Sequence, residues 1–244
     1  MCETVPVSES FGVIFDMDGV LVDSYRAHLR SWQDVARGLG LEMTESDFAR
    51  TFGRTSRDII RALWPGRFDA DAAGVARFDA AKELRYREIL ESEFPEMRGA
   101  GELIRALHAA GFRLAIGSSG PPENVALVRR MLGGGELFDA TVNGTEVTRG
   151  KPHPDVFLVA AEKLGLAPSR CAVIEDALAG LEAARRAGMV AIGLVGTVDR
   201  ETMRPHADRV VDSLGELTPE TIGRLVAEVK AVEVPQAARV FQPG

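Results

Sequence analysis

Short apolar runs alternate with longer amphipathic patterns along most of this chain. The runs are three to six residues long, which is typical of strands in the interior of a sheet and too short for buried helices. Strands that alternate with helical patterns predict a parallel sheet flanked by helices, an α/β fold. The predicted strands are residues 11–15, 112–116, 140–142, 171–174, 189–194 and 209–211.

Five helical patterns accompany these strands, and several are bounded by the glycine or proline that commonly marks a helix end. They are predicted over residues 100–110, 121–132, 154–165, 178–188 and 219–232.

The first interval between strands departs from this alternation, because it is helical throughout. About seventy residues of helix make a poor simple crossover. We therefore expect an α-helical cap inserted after the first strand, where α/β sheets bind ligands. The predicted division is a Rossmann-like core over residues 1–24 and 95–244 and a cap over residues 25–94. The first cap helix is marked by an apolar stripe with a helical period, made of Tyr25, His28, Leu29, Trp32, Val35, Ala36 and Leu39.

Composition narrows the class of function. The 244 residues carry 29 Lys and Arg against 36 Asp and Glu, a net charge of −7, without a long basic run, which argues against nucleic-acid binding. Residues 1–10 lack the features of a signal peptide, and no apolar stretch approaches the ~20 residues that span a bilayer. We expect a cytoplasmic monomer without membrane association. The only cysteines are Cys2 and Cys171; no disulfide is expected, and Cys171 is interpreted as a core residue.

Two aspartates directly follow the first predicted strand, in the segment Asp16-Met17-Asp18-Gly19-Val20. Side chains alternate along an extended segment, so carboxylates two residues apart can converge on one point, while Met17 offers its backbone carbonyl. Three oxygens from consecutive residues could then surround a small hard cation. Taken alone, such a triplet more often forms a turn or a helix cap.

A turn rich in glycine and serine follows the second strand. Residues 117–120, with Ser118, Ser119 and Gly120, precede a helix that proline opens. Their hydroxyls and backbone N–H groups could hold a phosphate at the helix N-terminus. A plain turn that caps the helix explains the segment equally well.

Lys151 stands between glycine and proline, just ahead of another predicted helix. A lone lysine is normally a solvated surface charge. In these rigid surroundings, its ammonium group could instead offset clustered carboxylates and a phosphoryl oxygen, a task that suits a compact point charge.

A second acidic pair, Glu175-Asp176, ends the fourth predicted strand. Two adjacent acids after a fully apolar strand are costly unless they bind something. With Asp16 and Asp18 they would bring at least three carboxylates into one cleft, where their repulsion requires a cation. Ligands that are all oxygen, without Cys or His, favour Mg²⁺ over zinc.

Four such segments in this order, each at a strand end, resemble the motifs of the haloacid dehalogenase-like superfamily, in the subgroup that includes β-phosphoglucomutase and many small phosphatases. The resemblance covers about residues 13–198. It implies that Asp16 is the nucleophile and Asp18 the general acid and base. It also implies that Ser118 and Lys151 hold the transferring phosphoryl group.

The resemblance further implies a Mg²⁺ site. Its ligands would be Asp16, the carbonyl of Met17 and Asp176. Glu175 would support the metal directly or through water, and Asp18 would contribute at most its backbone.

Six residues are candidates for substrate binding by the same resemblance. His28 shares the apolar stripe of the first cap helix and is equally well explained as a core residue. Arginines on such helices more often face solvent. The candidates are Ser119 and Gly120 beside the phosphate turn and His28, Arg54, Arg57 and Lys82 in the cap.

One departure from the mutase pattern favours a phosphatase over a phosphosugar mutase. After Ser118 the mutases have a small residue, a serine and then Lys-Asn, which clamp the substrate's second phosphate. This chain has Ser119-Gly120-Pro121-Pro122 instead. We therefore expect a Mg²⁺-dependent phosphatase that acts on a small phosphorylated metabolite such as a sugar phosphate, with a phosphosugar mutase as the alternative.

Two further alternatives are disfavoured. A haloalkanoate dehalogenase uses one aspartate in the first loop and no metal, whereas this chain has Asp18 and Glu175-Asp176. A noncatalytic binding protein is unsupported, because every motif position carries a chemically competent residue.

Overall fold

The computed structural model describes residues 10–51, 54–67, 72–133 and 136–232. The chain forms two compact units. The first, which we call the sheet unit, combines Met1–Val22 with Glu96–Gly244; the second, the helical unit, is Asp23–Pro95. These divisions fall two residues before the first predicted boundary and one residue after the second. Cys2, Gly53 and the tail from Pro235 onward lie outside the described residues.

The sheet unit is built on six parallel strands in the order β3-β2-β1-β4-β5-β6. All six predicted strands are confirmed, each within one residue at either end. The two central strands, β1 and β4, are fully buried, as expected for strands covered by helices on both faces. The strands are β1 Gly12–Phe15, β2 Arg113–Gly117, β3 Ala140–Val142, β4 Cys171–Glu175, β5 Val190–Leu194 and β6 Arg209–Val211.

Within its described residues, the helical unit contains four helices, α1 Tyr25–Gly38, α2 Glu45–Thr51, α3 Ser56–Leu63 and α4 Ala72–Ser92. An aromatic cluster fills its centre, with the Phe78 ring 5.2 Å from the Trp32 ring and 5.5 Å from the Trp64 ring, measured between centroids. The predicted stripe is right for Leu29, Trp32 and Ala36, which are buried. It is wrong for Leu39, which is 45% exposed because α1 ends at Gly38.

Helices connect the strands of the sheet unit, as the sequence predicts. Gly165, in the left-handed region at φ +68°, ends the helix before β4, a conformation that glycine adopts at little cost. A four-residue helix after β5 was not predicted. The helices are α5 Ala100–Ala109, α6 Pro122–Met131, α7 Asp155–Leu164, α8 Leu178–Arg186, α9 Arg200–Met203 and α10 Pro219–Val232.

Cys171 begins β4 and is fully buried, which confirms it as a core residue. Burial raises the pKa of its thiol to about 12. No helix among the described residues combines the length and apolar character needed to cross a membrane.

We predict that the Phe138→Ala substitution lowers the free energy of unfolding of the sheet unit by about 3–5 kcal/mol. Phe138 is 1% exposed and meets the ring of Phe15 edge-on at a centroid distance of 6.3 Å. Urea unfolding followed by far-UV circular dichroism measures the change. Leu158→Ala is the matched control in the same unit, because Leu158 is 38% exposed, and should cost no more than about 1 kcal/mol. Equal effects of the two substitutions would contradict the assignment of Phe138 to the core.

Candidate active site

Three acidic residues meet at the carboxyl ends of β1 and β4. The two strands are paired in parallel, and the Asp16 N–H continues the pairing by donating to the Ile174 carbonyl at 3.0 Å. Carboxylate oxygens of Asp16, Glu175 and Asp176 lie within 4.8 Å of one another. All three side chains are buried. This set of oxygen donors fits a divalent cation such as Mg²⁺.

Lys151 is a buried ammonium group between two of these acids. Its Nζ donates to Oδ1 of Asp16 and, at 2.7 Å, to Oε1 of Glu175. Only 11% of the side chain is exposed, and the Nζ lies 5.0 Å from the ring centroid of Phe157. Its peptide bond to Pro152 is cis. Of the two interpretations open from the sequence, the surface charge is wrong.

Burial and crowding set the charge state of the site. Burial raises the pKa of Asp16 well above its usual range; Lys151 opposes this rise, and the negative charges of Glu175 and Asp176 reinforce it. For Asp176, burial and the charge of Glu175 raise the pKa to about 7. Burial disfavours the Lys151 ammonium, but Asp16 and Glu175 outweigh it and raise the Lys151 pKa. The site thus keeps its lysine charged and disfavours full ionisation of its acids.

Glu175 is held by the start of the helix that follows it. Oε1 accepts from Lys151, and Oε2 accepts from the backbone N–H of Ala177 at 2.8 Å. A Cβ at Gly180 would lie 1.7 Å from Oε1, so only glycine lets α8 pass this close to the carboxylate. No signal in the sequence pointed to Gly180 beyond its place in the first turn of a predicted helix.

Gly19 and a threonine both lie against one carboxylate oxygen of Asp176. Gly19 has φ +82°, and a Cβ there would lie 2.1 Å from Oδ2 of Asp176. The Thr197 hydroxyl donates to the same oxygen. Sequence reasoning missed Thr197, although its place just after β5, beside β4 in the parallel sheet, was an available signal.

The backbone around Asp18 already uses the carbonyl of one predicted ligand. The carbonyl of Met17 accepts hydrogen bonds from the N–H groups of Leu21 at 2.9 Å and Val22 at 3.1 Å. Because a carbonyl oxygen has two lone pairs, these hydrogen bonds compete with the predicted coordination of the metal by Met17. Asp18 is half-buried, and its charge contributes to the raised pKa of Asp176, so it lies beside the acidic cluster.

The turn after β2 is ordered by its own hydrogen bonds. Ser118 is buried, its N–H donates to the Val142 carbonyl at 3.0 Å, and its Oγ accepts from the N–H of Gly120 at 3.0 Å. Two of the N–H groups that were predicted to hold a phosphate, those of Ser118 and Gly120, are therefore already hydrogen-bonded within the protein. Ser119 is exposed, and Gly144, whose Cβ would lie 2.3 Å from the Ser119 carbonyl oxygen, supports the turn from behind.

His28 and Lys82 meet in the interior of the helical unit. Lys82 Nζ lies 3.0 Å from Nδ1 of His28 and donates to Oε1 of Glu83 at 2.7 Å. The His28 ring stacks on Tyr86 with centroids 4.0 Å apart and an interplanar angle of 4°. A lysine that is only 5% exposed is uncommon without a partner, and these contacts supply partners.

The two predicted arginines of the helical unit are both exposed. Arg54 precedes the N-cap of α3, and Arg57 lies in the first turn of that helix. The structure does not bring either of them into the His28–Lys82 pair.

Known proteins of one hydrolase family are similar to this chain. The model of the haloacid dehalogenase-like hydrolase family matches residues 12–188. Hexitol phosphatase A of Escherichia coli K12 is 36% identical over 208 residues, which cover 85% of this chain and 93% of that protein. β-Phosphoglucomutase of Bacillus subtilis is 30% identical over 215 residues, covering 86% and 92%.

Solved structures share the fold as well. A crystal structure of β-phosphoglucomutase from Clostridium difficile superposes with a TM-score of 0.78 at 25% identity, covering 91% of this chain and 99% of that one. A structure of CbbY from Rhodobacter sphaeroides in complex with phosphate gives a TM-score of 0.76 at 29% identity, covering 85% and 96%. The family match and the curated relatives show that the chain belongs to the haloacid dehalogenase-like hydrolases.

Proposed function

We propose that this protein is a Mg²⁺-dependent phosphatase that hydrolyses a small phosphorylated metabolite, of the sugar phosphate class, through an aspartyl-phosphate. The observation that carries the proposal is the buried cluster of Asp16, Glu175 and Asp176 with Lys151 inserted between two of its members. Membership of a hydrolase family supports the reaction type. Relatives named as a hexitol phosphatase and a phosphoglucomutase support the substrate class.

The carboxylates of Asp16 and Asp176 are the proposed metal ligands, with the backbone carbonyl of Asp18 as the third protein oxygen in place of Met17. Glu175 would support the metal indirectly, because Lys151 and the Ala177 N–H already donate to its two oxygens. When bound, Mg²⁺ supplies positive charge that keeps the carboxylates ionised and offsets charge on the phosphoryl group.

Asp16 and Asp18 divide the chemistry of the two half-reactions. An oxygen of Asp16 attacks phosphorus in line, and the bond from phosphorus to the leaving oxygen breaks as Asp18 gives that oxygen its proton. Water then attacks the aspartyl-phosphate and loses a proton to Asp18. Inorganic phosphate is released, and both residues return to their first state. The half-exposed position of Asp18 suits a group that must exchange protons with both substrate and water.

Lys151 and Ser118 are the proposed binding groups for the transferring phosphoryl oxygens. The raised pKa of Lys151 keeps its ammonium charged, as electrostatic stabilisation of phosphoryl transfer requires. Ser118 presents a hydroxyl from a turn that Gly120 and Gly144 hold in place.

The helical unit is proposed to select the substrate. Its candidates are the buried His28–Lys82 pair and the exposed guanidinium groups of Arg54 and Arg57. Ser119 and Gly120 are the corresponding candidates beside Ser118 in the sheet unit.

The turn after β2 favours hydrolysis over the mutase reaction, in which the phosphoryl group moves between two positions of the sugar. A mutase must retain its bisphosphate intermediate while that molecule reorients in the site, which requires a second group that binds phosphate. Here Gly120 donates its N–H to Ser118, and Pro121 and Pro122 have no N–H to offer. The similarity to β-phosphoglucomutase keeps the mutase as the second candidate.

We predict that Asp16→Asn lowers Mg²⁺-dependent phosphate release from p-nitrophenyl phosphate or a sugar phosphate by at least about a thousandfold, because the amide is not a nucleophile. Release of inorganic phosphate measures the loss. Lys163→Gln is the control, since Lys163 lies on α7 and pairs with Glu146, and it should retain activity. Turnover by wild type that needs no Mg²⁺, or an Asp16→Asn variant that stays active, would contradict the mechanism.

We also predict that β-glucose 1-phosphate, supplied with a catalytic amount of glucose 1,6-bisphosphate, yields inorganic phosphate faster than glucose 6-phosphate. Both products are measured in one reaction by coupled assays, and a panel of sugar phosphates identifies the preferred substrate. Glucose 6-phosphate as the main product would establish the mutase and remove the phosphatase.

A further inference from the structure

Thr197 is a neighbour of the acidic cluster to which the proposed reaction gives no role. It lies on the loop between β5 and α9 and is itself exposed. Its hydroxyl nevertheless donates to Oδ2 of Asp176, a carboxylate that is only 6% exposed. An exposed residue that reaches a buried proposed ligand is placed to control how that ligand is presented.

Two groups lie against Oδ2 of Asp176. The Thr197 hydroxyl donates to it, and the backbone of Gly19 is so close that a Cβ there would stand 2.1 Å from Oδ2. The same Cβ would stand 3.2 Å from Oδ1, so the Gly19 backbone packs along the carboxylate. Thr197 therefore holds one of the two oxygens by hydrogen bonding, and packing against Gly19 restricts the group.

We propose that Thr197 is a positioning residue that engages Oδ2 of Asp176 by a hydrogen bond. This carboxylate then binds the metal through its other oxygen alone, and the site favours Mg²⁺ over Ca²⁺. The inference rests on the metal site of the proposed function. It adds to that site a determinant of metal choice that lies outside the four motif segments.

The chemistry of the two cations explains the direction of this preference. Mg²⁺ demands octahedral geometry at short distances and takes carboxylates through single oxygens, whereas Ca²⁺ accepts six to eight ligands and often binds both oxygens of a carboxylate. A donor that occupies one oxygen therefore suits Mg²⁺ and withholds a ligand from Ca²⁺. Loss of a hydrogen-bond partner that orients a ligand typically costs 10- to 100-fold in metal affinity.

The test is isothermal titration of Mg²⁺ and of Ca²⁺ into wild type and Thr197→Val, which keeps the shape of the side chain and removes the hydroxyl. We expect Kd for Mg²⁺ to rise about 10- to 100-fold and Kd for Ca²⁺ to change by less than about threefold. Thr197→Ser should restore Mg²⁺ binding to within about threefold of wild type. Thr148→Val, at another exposed threonine of the sheet unit, is the control and should leave both constants unchanged.

Three results would overturn the inference: unchanged Mg²⁺ binding by Thr197→Val, equal losses for the two metals, or a serine variant as weak as the valine variant. If wild type binds Mg²⁺ and releases phosphate while one of these results is seen, the positioning role fails and the proposed function stands. If wild type binds no Mg²⁺, both fail together. Melting in the presence of a chelator shows whether each variant is folded, and the exposed position of Thr197 predicts that all are.

Discussion

The repulsion among three buried carboxylates is the constraint on which the rest of this site depends. Asp16, Glu175 and Asp176 are held within 4.8 Å of one another in a place where water cannot separate their charges. Lys151 offsets part of that charge by contacting Asp16 and Glu175. The pKa of Asp176 is nevertheless raised, so the charge of one lysine does not fully offset the burial and repulsion of the three carboxylates. Such a cluster could hold a divalent cation. The cation would offset the remaining repulsion among the carboxylates and attract a negatively charged phosphoryl group.

The parallel sheet makes this crowding possible. Neighbouring β1 and β4 end at the same edge, and their flanking backbone is rigid because both strands are fully buried. Glycines at positions 19 and 180 let backbone approach the carboxylates where any side chain would collide with them. Thr197 and Ala177 then fix individual oxygens. The acids are therefore held by packing and hydrogen bonds before any cation binds, which is how preorganised sites stabilise charge.

Much of this could be predicted from the sequence, because its strongest signals are local. The six strands follow from short apolar runs, and the acids follow directly after two of those strands. The features that the sequence did not predict are interactions that composition and spacing do not encode. The lone pairs of Met17 are used by Leu21 and Val22 across a tight turn, and the N–H of Gly120 turns back to Ser118. Leu39 keeps the helical period but falls one residue beyond the end of α1. Thr197 belongs to no motif and is brought to Asp176 only by the order of the strands.

The most direct test of this account is the pH dependence of stabilisation by Mg²⁺. Without metal, the folded protein retains a proton on Asp176 that the unfolded chain has lost, so stability falls as pH rises from about 4 to about 7. Mg²⁺ needs the ionised carboxylates and must displace that proton. The melting temperature is followed by far-UV circular dichroism, which reports on the helices and strands of both units. Tryptophan fluorescence would report mainly on the helical unit, because both tryptophans lie there. Mg²⁺ near 100 times its Kd should raise it by about 5–10 °C at pH 8 and by clearly less at pH 6. A shift that is absent, or equal at the two pH values, would contradict the claim that the crowded acids form the cation site.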